Sequence, residues 1–317
     1  MSPAATDLDA LRRRLGPLGV WVFSAALDED PGEVARWIEN LGYTAVWVGG
    51  GNPDPADFAR LERMLSGSDR LVVATGIVNL WAWQPAALAT EAARLHAAFP
   101  GRFLLGIGVS HAPIVERLGQ RYERPLDAMV AFLDALDGAT ATGGGATGGG
   151  AVPRVLAALG DRMLRLSADR ALGAHPYLTT PPHTERARGV LGPGPVLAPE
   201  QAIVLDEDPE RARSGARAYL ERYLRLPNYA HNLRRLGWSE EDLQGGGTDA
   251  LVDAVVLHGG IADVAAGVRA HLAGGADHVC IQPLTAAGAF DRDALERLAP
   301  ALHATPTSDP PPGAGHR

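Results

Sequence analysis

RLVVATGIVNLW, residues 70–81, is the segment from which the fold of this chain is predicted. Its residues 71–74 form a short apolar run rich in β-branched side chains, which is typical of a buried β-strand. A strand that is apolar on both faces indicates a parallel sheet covered on both sides. Thr75, Gly76 and Asn79 then bring polar side chains and a flexible backbone to the point where the apolar run ends. Because ligands bind at the carboxyl ends of parallel strands, this strand end is predicted to form part of a ligand site.

Strand and helix patterns alternate on both sides of this segment. The first helix is predicted to begin at Pro31, because Asp30 is a favoured N-cap and Pro fits the first turn. Three more helices, at residues 209–226, 228–236 and 248–256, are predicted before the last strand. Eight strands with helices between them favour a (β/α)8 TIM barrel, an α/β fold, over an open doubly wound sheet. The strands are predicted at residues 18–24, 45–48, within 70–81, 102–108, 153–159, 173–178, 195–205 with a break at Pro199, and 278–284.

Two segments differ in composition from a folded core. GATATGGGATGGGA, residues 138–151, has the low complexity of a flexible surface loop. Residues 305–317 are rich in Pro and Gly and are predicted to be a disordered tail. Residues 1–304, including the loop, are predicted to form a single domain, since a chain of 317 residues can fold as one large barrel.

Composition and charge exclude several classes of protein. The chain has 46% hydrophobic and 21% charged residues, as globular proteins do. Its net charge of −8 and its lack of a Lys/Arg cluster predict that it does not bind nucleic acid. No apolar run approaches the roughly 20 residues of a membrane helix, and the N-terminus has no apolar signal core. A cytoplasmic protein without a membrane partner is therefore predicted.

Several motifs of enzyme sites are absent or incomplete in the sequence. GGGATGGG, residues 143–150, lacks the Gly-Lys-Ser/Thr ending of a phosphate-binding P-loop. Gly106 and Gly108 follow a predicted strand, but His111 stands where a dinucleotide fingerprint has its third glycine. No Gly-x-Ser-x-Gly elbow of a hydrolase occurs. The ten histidines show no metal-ligand spacing, so no metal site is predicted.

Small and polar residues recur at the predicted strand ends. Each one alone is explained by the preference of Gly, Ser and Asn for turns. Their recurrence along one rim favours a pocket for a small molecule, since glycine lets a flat ligand approach the backbone closely. His111 follows the fourth strand and is the candidate catalytic residue, because histidine exchanges protons near neutral pH. The set comprises Ser24, Gly49, Gly50, Thr75, Gly76, Gly108, Ser110, His111, Gly160 and residues 175–177.

Other conspicuous side chains have simpler interpretations. Trp81 and Trp83 flank the strand end and either wall a ring system or belong to the core. His96 and His271 lie within predicted helices and are assigned to packing or to the solvent face. Cys280, inside the apolar run HVCIQPL, is predicted to be a buried core residue.

The order of these segments resembles the luciferase-like monooxygenase superfamily, and more narrowly its branch of F420-dependent oxidoreductases. The resemblance spans most of residues 15–302 and is most specific over residues 71–111. It rests on GVWVF, LGYTAVWV, RLVVATGIVN and QPAALATEAARLHAAFPGRFLLGIGVSH, with QRYERPLDAM, GAHPYLTTPPHT and HVCIQPL later in the chain.

The resemblance implies a homodimeric TIM barrel with extra helices after the seventh strand. It also implies a deazaflavin ring (coenzyme F420), or alternatively FMN, over the carboxyl ends of the strands. A bulge with a non-prolyl cis peptide bond is implied at residues 76–78, with the phosphate tail near Gly160 and residues 173–175. The implied cofactor-binding residues are Ser24, Gly49, Thr75, Gly76, Ile77, Val78, Asn79, Gly108, Ser110, Gly160, Gly173, Ala174 and His175.

The sequence also departs from part of this family. Sugar-phosphate dehydrogenases of the family carry an Asp-His pair after the second strand and a Glu after the fourth, where this chain has residues 49–50 and 109–110. A different substrate is therefore expected: reduction of a C=C, C=O or C=N bond, with hydride from reduced F420 and a proton from His111 or water. The oxidative direction stays open. The alternatives are an FMN-dependent monooxygenase that uses O2 and a flavin-binding protein without catalytic activity.

Overall fold

The computed structural model of the chain describes residues 5–24, 29–50, 55–142 and 151–304. The tail predicted at residues 305–317 lies outside the described residues, and so do residues 143–150 of the predicted loop.

Thirteen α-helices occur within the described residues, with two 3-10 segments at Leu80–Ala82 and Glu241–Gly246. Most of them begin at a residue pair that favours a helix start, as α2 does with Asp30, whose carboxylate accepts from the N–H groups of Gly32 and Glu33. The helices are α1 Ala5–Leu15, α2 Pro31–Asn40, α3 Pro55–Gly67, α4 Pro85–Ala98, α5 Ala112–Arg117, α6 Pro125–Thr142, α7 Asp161–Arg170, α8 Pro181–Leu191, α9 Pro209–Leu224, α10 Pro227–Arg235, α11 Asp249–Val255, α12 Ile261–Ala273 and α13 Arg292–His303.

Eleven parallel strand segments form one curled sheet within the described residues. Neighbouring segments follow the order β10-β9-β11-β1-β2-β3-β5-β6-β7-β8, and β4 pairs with β5 beyond the end of β3. The segments are β1 Leu18–Phe23, β2 Ala45–Gly49, β3 Val72–Thr75, β4 Val78–Asn79, β5 Phe103–Gly108, β6 Arg154–Leu156, β7 Gly173–Ala174, β8 Val196–Leu197, β9 Glu200–Val204, β10 Leu257–His258 and β11 Val279–Pro283.

The sheet closes on itself through the interrupted seventh strand. β8 and β9 are separated only by Ala198 and Pro199. At this interruption the Ala198 N–H donates to the Ala174 carbonyl at 2.9 Å, and the Cys280 N–H donates to the Pro199 carbonyl at 2.9 Å. Since β11 pairs with β1, a continuous ring of strands results. The predicted TIM barrel and the predicted break at Pro199 are confirmed.

The barrel interior is built from large aromatic and small apolar residues at matching heights. Trp21, Trp47 and Ala74 are partners in register on β1, β2 and β3, and Leu104 on β5 continues the row. All four are buried, as is Cys280 on β11, which confirms its predicted core position. Helices cover the outer face of the same strands. Both faces of the sheet are therefore shielded from solvent, as the apolar sequence of β3 predicts.

Several elements differ from the sequence-based predictions. Helix α1 precedes the helix predicted to be the first, and the fifth strand, predicted over residues 153–159, is limited to β6. The sixth strand, predicted over residues 173–178, is limited to β7, since Pro176 has no N–H to donate to a ladder. Residues 138–142, predicted as the start of the flexible loop, continue helix α6 to Thr142. The two-residue strand β10 beside β9 was not predicted.

The helices α9, α10 and α11 lie between β9 and β11 in the chain, as predicted. They form a second hydrophobic cluster next to the barrel, with Tyr219, Leu220, Leu233 and Val252 fully buried in it. Among the described residues, none of the helices has the length and apolar character needed to cross a membrane.

Candidate active site

A cavity of about 880 Å³ opens at the carboxyl ends of the strands. This volume lies at the upper end of the roughly 300–1,000 Å³ that ligand pockets occupy. Strand ends form one side of the cavity, here called the cavity floor: Trp21, Gly76, Ile77, Asn79, Gly108 and His175. The inserted helices form the opposite side, here called the cavity roof: Arg222, Tyr223, Arg225, Leu226, Asn228, Tyr229, His231 and Arg235.

The third strand is interrupted at the cavity floor. A cis peptide bond joins Gly76 and Ile77, where the resemblance places it. The side chain of Thr75 replaces the missing strand pairing, because its hydroxyl donates to the Gly106 carbonyl at 2.8 Å and accepts from the Gly106 N–H at 2.7 Å. Strand pairing with β5 resumes at Val78. Residues 76–77 are thereby displaced from the ladder and line the cavity.

The structure brings eight of the fourteen predicted catalytic and cofactor-binding residues to this cavity, together with Gly50 and Tyr177 of the predicted rim. The other six are found elsewhere. The eight residues are Gly76, Ile77, Asn79, Gly108, Ser110, His111, Gly160 and His175.

Ser24, Gly49, Thr75 and Val78 line a smaller adjoining cavity of about 40 Å³ and not the large one. The hydroxyl of Ser24 donates to Asp57 at 3.2 Å, and that of Thr75 is committed to β5. At Gly49 a Cβ atom would lie 2.1 Å from the ring of Trp21, so this glycine makes room for a tryptophan.

Gly173 and Ala174 lie in the barrel wall and line neither of these two cavities. A Cβ atom at Gly173 would lie 2.0 Å from the Val196 carbonyl oxygen, so close strand packing accounts for this glycine. The contact of these two residues with a cofactor stays a prediction. Trp81 also lies outside the cavity and donates from Nε1 to the Val109 carbonyl at 2.9 Å.

Three polar atoms of the cavity floor have no hydrogen-bond partner among the described residues: Trp21 Nε1, Asn79 Nδ2 and His175 Nε2. The Nδ1 of His175 donates to the Ala198 carbonyl at 2.7 Å, so its Nε2 carries the lone pair. Burial lowers the pKa of His175 to about 4, and its ring stacks on Trp47 with a centroid distance of 4.2 Å. Two N–H donors and one neutral nitrogen acceptor are therefore buried in residues of the floor without a hydrogen-bond partner.

His111 follows β5 and faces the cavity roof. Ser110, just before it, has a φ of 56°, which turns the chain out of the strand. The Nδ1 of His111 lies 2.8 Å from Oδ1 of Asn228, and its ring packs on Tyr229 at 5.0 Å between centroids. Burial lowers the pKa of His111 below its ordinary value, although the Asn228 contact opposes that shift. The imidazole is therefore neutral at pH 7.

A group of tyrosines joins the barrel to the roof. Tyr177 belongs to the predicted rim, whereas Tyr219 and Tyr223 were not identified from the sequence. The Tyr177 hydroxyl donates to Gln282 Oε1 at 2.8 Å and accepts from the Tyr219 hydroxyl at 3.0 Å. The Tyr223 hydroxyl lies 2.9 Å from that of Tyr177. Burial raises the pKa of Tyr223 to about 12, so it stays protonated. The i, i+4 spacing of Tyr219 and Tyr223 on a predicted helix was the available signal.

The cavity is strongly cationic. Arg117, Arg222, Arg225 and Arg235 line it, and none of its lining residues is Asp or Glu. Arg225 pairs with Glu221. For the other three arginines, no ion pair with a described residue is found. An anionic ligand would meet the positive charge of Arg117 and Arg222 here, whereas the charge of Arg235 is partly offset by the nearby carboxylate of Asp161.

One of these arginines lies beside a helix N-terminus. Gly160 caps α7 without a side-chain hydrogen bond, which leaves the first N–H groups of the helix free of a capping side chain. A Cβ atom at Gly160 would lie 2.8 Å from Nη1 of Arg235, so the guanidinium is close to these N–H groups. A helix N-terminus with an adjacent arginine favours a phosphate group, although the first residue of α7, Asp161, brings a carboxylate to the same turn, where it pairs with Arg186.

A family model described as luciferase-like monooxygenase matches residues 29–278 of this sequence. The chain belongs to the luciferase-like monooxygenase family. A search of the curated proteins finds no match to the sequence.

Solved structures of several luciferase-like enzymes share the fold at low sequence identity. One is the coenzyme F420-dependent tetrahydromethanopterin reductase from Methanopyrus kandleri, with a TM-score of 0.68 and 16% identity over 89% of this chain and 96% of that chain. Another is an F420-dependent secondary alcohol dehydrogenase in complex with an F420-acetone adduct, with a TM-score of 0.69 and 14% identity over 91% and 99%. A third is the oxygenating constituent of 3,6-diketocamphane monooxygenase from Pseudomonas putida in complex with FMN, with a TM-score of 0.64 and 14% identity over 90% and 98%.

Proposed function

We propose that the protein is an oxidoreductase that transfers a hydride between coenzyme F420 and a small organic substrate. Reduction of a C=C, C=O or C=N bond is the proposed direction. The observation that carries this proposal is the cavity at the strand ends, which has four lining arginines and no lining carboxylate. Two luciferase-like structures of the same fold are described as F420-dependent enzymes, which supports the choice of cofactor.

The cavity floor fits the ring of a deazaflavin in the kinds of atom that it presents. The pyrimidinedione edge of such a ring carries carbonyl oxygens and an N–H group. These atoms are buried, so the floor side chains would have to shift on binding for Trp21 Nε1 and Asn79 Nδ2 to donate to those oxygens and for His175 Nε2 to accept from the N–H. Satisfying these buried atoms would remove an energetic cost of about 1–3 kcal/mol for each one.

The cationic side of the cavity fits the anionic tail of the cofactor. The N-terminus of α7 with Arg235 would hold the phosphate. FMN carries only this one anionic group, whereas F420 carries carboxylates beyond its phosphate. Arg117 and Arg222, which have no ion pair among the described residues, would meet those carboxylates. The number of arginines therefore favours F420 over FMN.

In this proposal the protein orients the reactants and moves a proton. When bound, F420 supplies the hydride chemistry. The cavity floor and the cavity roof would hold the ring and the substrate face to face and limit the access of water. His111 is the proposed proton-transfer residue, since its Nε2 has no partner among the described residues and the residue lines the cavity.

Titration of the cofactor-free protein with F420, FMN and a deazaflavin that lacks the phosphate tail tests the proposal. Fluorescence of each ligand gives its dissociation constant. We expect F420 to bind at least about tenfold more tightly than either of the others, which corresponds to about 1.4 kcal/mol. Failure to bind F420 would overturn the proposal. Tight FMN binding with substrate-dependent O2 consumption would establish the monooxygenase alternative.

Catalysis is tested separately from binding. The protein is incubated with reduced F420 and a panel of ketones, enones and imines, and oxidation of the cofactor is followed by its absorbance. Substrate-dependent oxidation supports the enzyme. Saturable F420 binding without turnover of any compound, in either direction, would support a binding protein without catalytic activity.

A further inference from the structure

The side chain of Asn228 joins the inserted helices to the end of the strand β5. Asn228 is the second residue of α10, and its Oδ1 lies 2.8 Å from Nδ1 of His111, 117 positions away in the chain. Tyr229, the next residue, packs its ring against the same imidazole at 5.0 Å. The contact therefore fixes both the position and the rotation of His111 against the cavity roof.

This hydrogen bond selects one form of the imidazole. An amide oxygen only accepts hydrogen bonds, so Nδ1 of His111 must carry the hydrogen. In a neutral imidazole the other nitrogen, Nε2, then holds a lone pair. For Nε2 no partner is found among the described residues, and His111 lines the cavity. Its lone pair is the free basic site of this side chain.

We infer that Asn228 is a positioning residue that holds His111 in the tautomer whose Nε2 accepts a proton inside the cavity. The inference rests on the proposed function for the existence of a proton-transfer step. In that step an O–H or N–H bond of the substrate breaks, its electron pair stays on the substrate atom, and an Nε2–H bond forms. His111 then releases this proton to water. In the proposed reductive direction Nε2 first takes up a proton from water, and its N–H bond breaks as the O–H or N–H bond of the product forms.

Asn228 could instead have only a structural role, in which its hydrogen bond to His111 holds α10 against the barrel. The same two atoms would then be in contact. The two roles differ in the state of the imidazole. A structural role predicts that loss of the Asn228 side chain destabilises the packing of α10 on the barrel. A positioning role predicts that the loss changes which nitrogen of His111 carries the hydrogen.

Nitrogen NMR of the cofactor-free protein labelled with 15N-histidine distinguishes these roles. The signals of His111 are identified by their loss in His111→Gln. In the unchanged protein near neutral pH we expect Nδ1 to be protonated and Nε2 to be unprotonated. Asn228→Ala is expected to shift His111 toward the opposite tautomer, and Asn228→Asp to restore the Nδ1–H form because a carboxylate also accepts this hydrogen bond.

Asn232→Ala is the matched control. Asn232 lies one turn further along α10 and does not line the cavity, so its truncation perturbs the same helix without touching His111. We expect it to leave the His111 signals unchanged. An unchanged tautomer in Asn228→Ala, with the thermal unfolding midpoint preserved, would overturn the inference.

Turnover gives a second readout. Asn228→Ala is expected to lower kcat at least tenfold with little change in KM, and Asn228→Asp to recover most of it. Added to His111→Ala, the Asn228→Ala change is expected to have no further effect on kcat, because its effect acts through His111. A further decrease in the double variant would contradict the inference. Failure of the protein to bind F420 would instead refute the proposed function, and the tautomer result would stand apart from it.

Discussion

Glu200 is a buried acid inside the barrel, beneath the cavity. One carboxylate oxygen, Oε2, accepts from the Leu178 N–H at 2.9 Å, and Oε1 has no partner among the described residues. Burial raises the pKa of Glu200 from 4.5 to about 8. The side chain is therefore protonated at neutral pH, and its ionisation has a direct consequence for stability.

Replacement of Glu200 by glutamine makes this consequence measurable. In the unfolded chain Glu200 ionises near pH 4.5, whereas in the folded protein it stays protonated up to about pH 8. Its contribution to stability is therefore complete below pH 4.5 and is lost as the pH rises to 8. We expect Glu200→Gln to match the unchanged protein at the acidic end and to exceed its stability progressively above it. The upper limit is about 1.4 kcal/mol for each pH unit.

Urea unfolding across this pH range gives the free energies of unfolding to compare. Glu241→Gln, at an exposed position of a 3-10 segment, serves as the control and is expected to show no such trend. A difference between Glu200→Gln and the unchanged protein that does not vary with pH would contradict the assignment of a protonated Glu200.

Single residues of the site were predictable where their position depends on a strand end. Gly76, Gly108 and His111 lie at or just beyond the ends of buried strands, so the strand pattern alone places them at the cavity. Arg235 and Tyr223 were not identified, because both lie on inserted helices. A helical pattern in the sequence shows which face is apolar, but the distance and rotation of the helix relative to the barrel are decided by tertiary packing.

The third strand shows how one element serves two purposes. β3 holds the barrel together, and its interruption gives the cavity floor its shape. The Thr75 hydroxyl connects the two, since it satisfies the N–H and the carbonyl of Gly106 where the backbone of the third strand has moved away. Buried backbone groups of this kind need such partners.

Thr75→Val tests whether the Thr75 hydroxyl takes the place of a backbone hydrogen-bond partner for Gly106. Valine has the shape of threonine without the hydroxyl, so both backbone groups of Gly106 would be buried without a partner. We expect a loss of about 2 kcal/mol or more in the free energy of unfolding. Thr75→Ser keeps the hydroxyl and is expected to lose much less. Equal stability of the two variants in chemical unfolding would show that the hydroxyl is not the important group.

At the level of elements, the sequence predicted the strands that are rich in β-branched residues and the helices with clear starts. It failed where the structure depends on neighbours. β7 is short because Pro176 cannot continue the ladder, and Gly173 packs directly on the backbone of β8. Helix α6 continues through residues 138–142, where alanine and helical hydrogen bonding outweigh the breaking tendency of Gly138.

The whole molecule separates its charges. Its net charge is −8, yet the lining residues of the cavity include four arginines and no carboxylate. An anionic cofactor is therefore repelled at a distance and attracted only near the cavity mouth. Salt screens the exposed charges of the molecule more than the half-enclosed ones.

Ionic strength is expected to affect cofactor binding according to the charge of the ligand. F420 should bind less tightly as salt is added, and the tail-less deazaflavin should be nearly insensitive, because the arginines act on the tail. Arg235→Gln should weaken F420 binding and reduce its salt dependence while leaving the tail-less ligand unaffected. Dissociation constants from fluorescence titrations at several salt concentrations provide the measurement. Equal salt dependence for both ligands would contradict the assignment of the tail to the arginines.

The cavity roof comes from one continuous stretch of the chain, and the cavity floor comes from strands spread over the rest of it. α9 begins at Pro209 and α10 ends at Arg235, so a single insertion supplies Tyr223, Asn228 and Arg235 together. Such a segment is an exchangeable part. Grafting another insertion onto the same barrel would replace the side chains of the cavity roof in one recombination step. The cavity floor would stay unchanged.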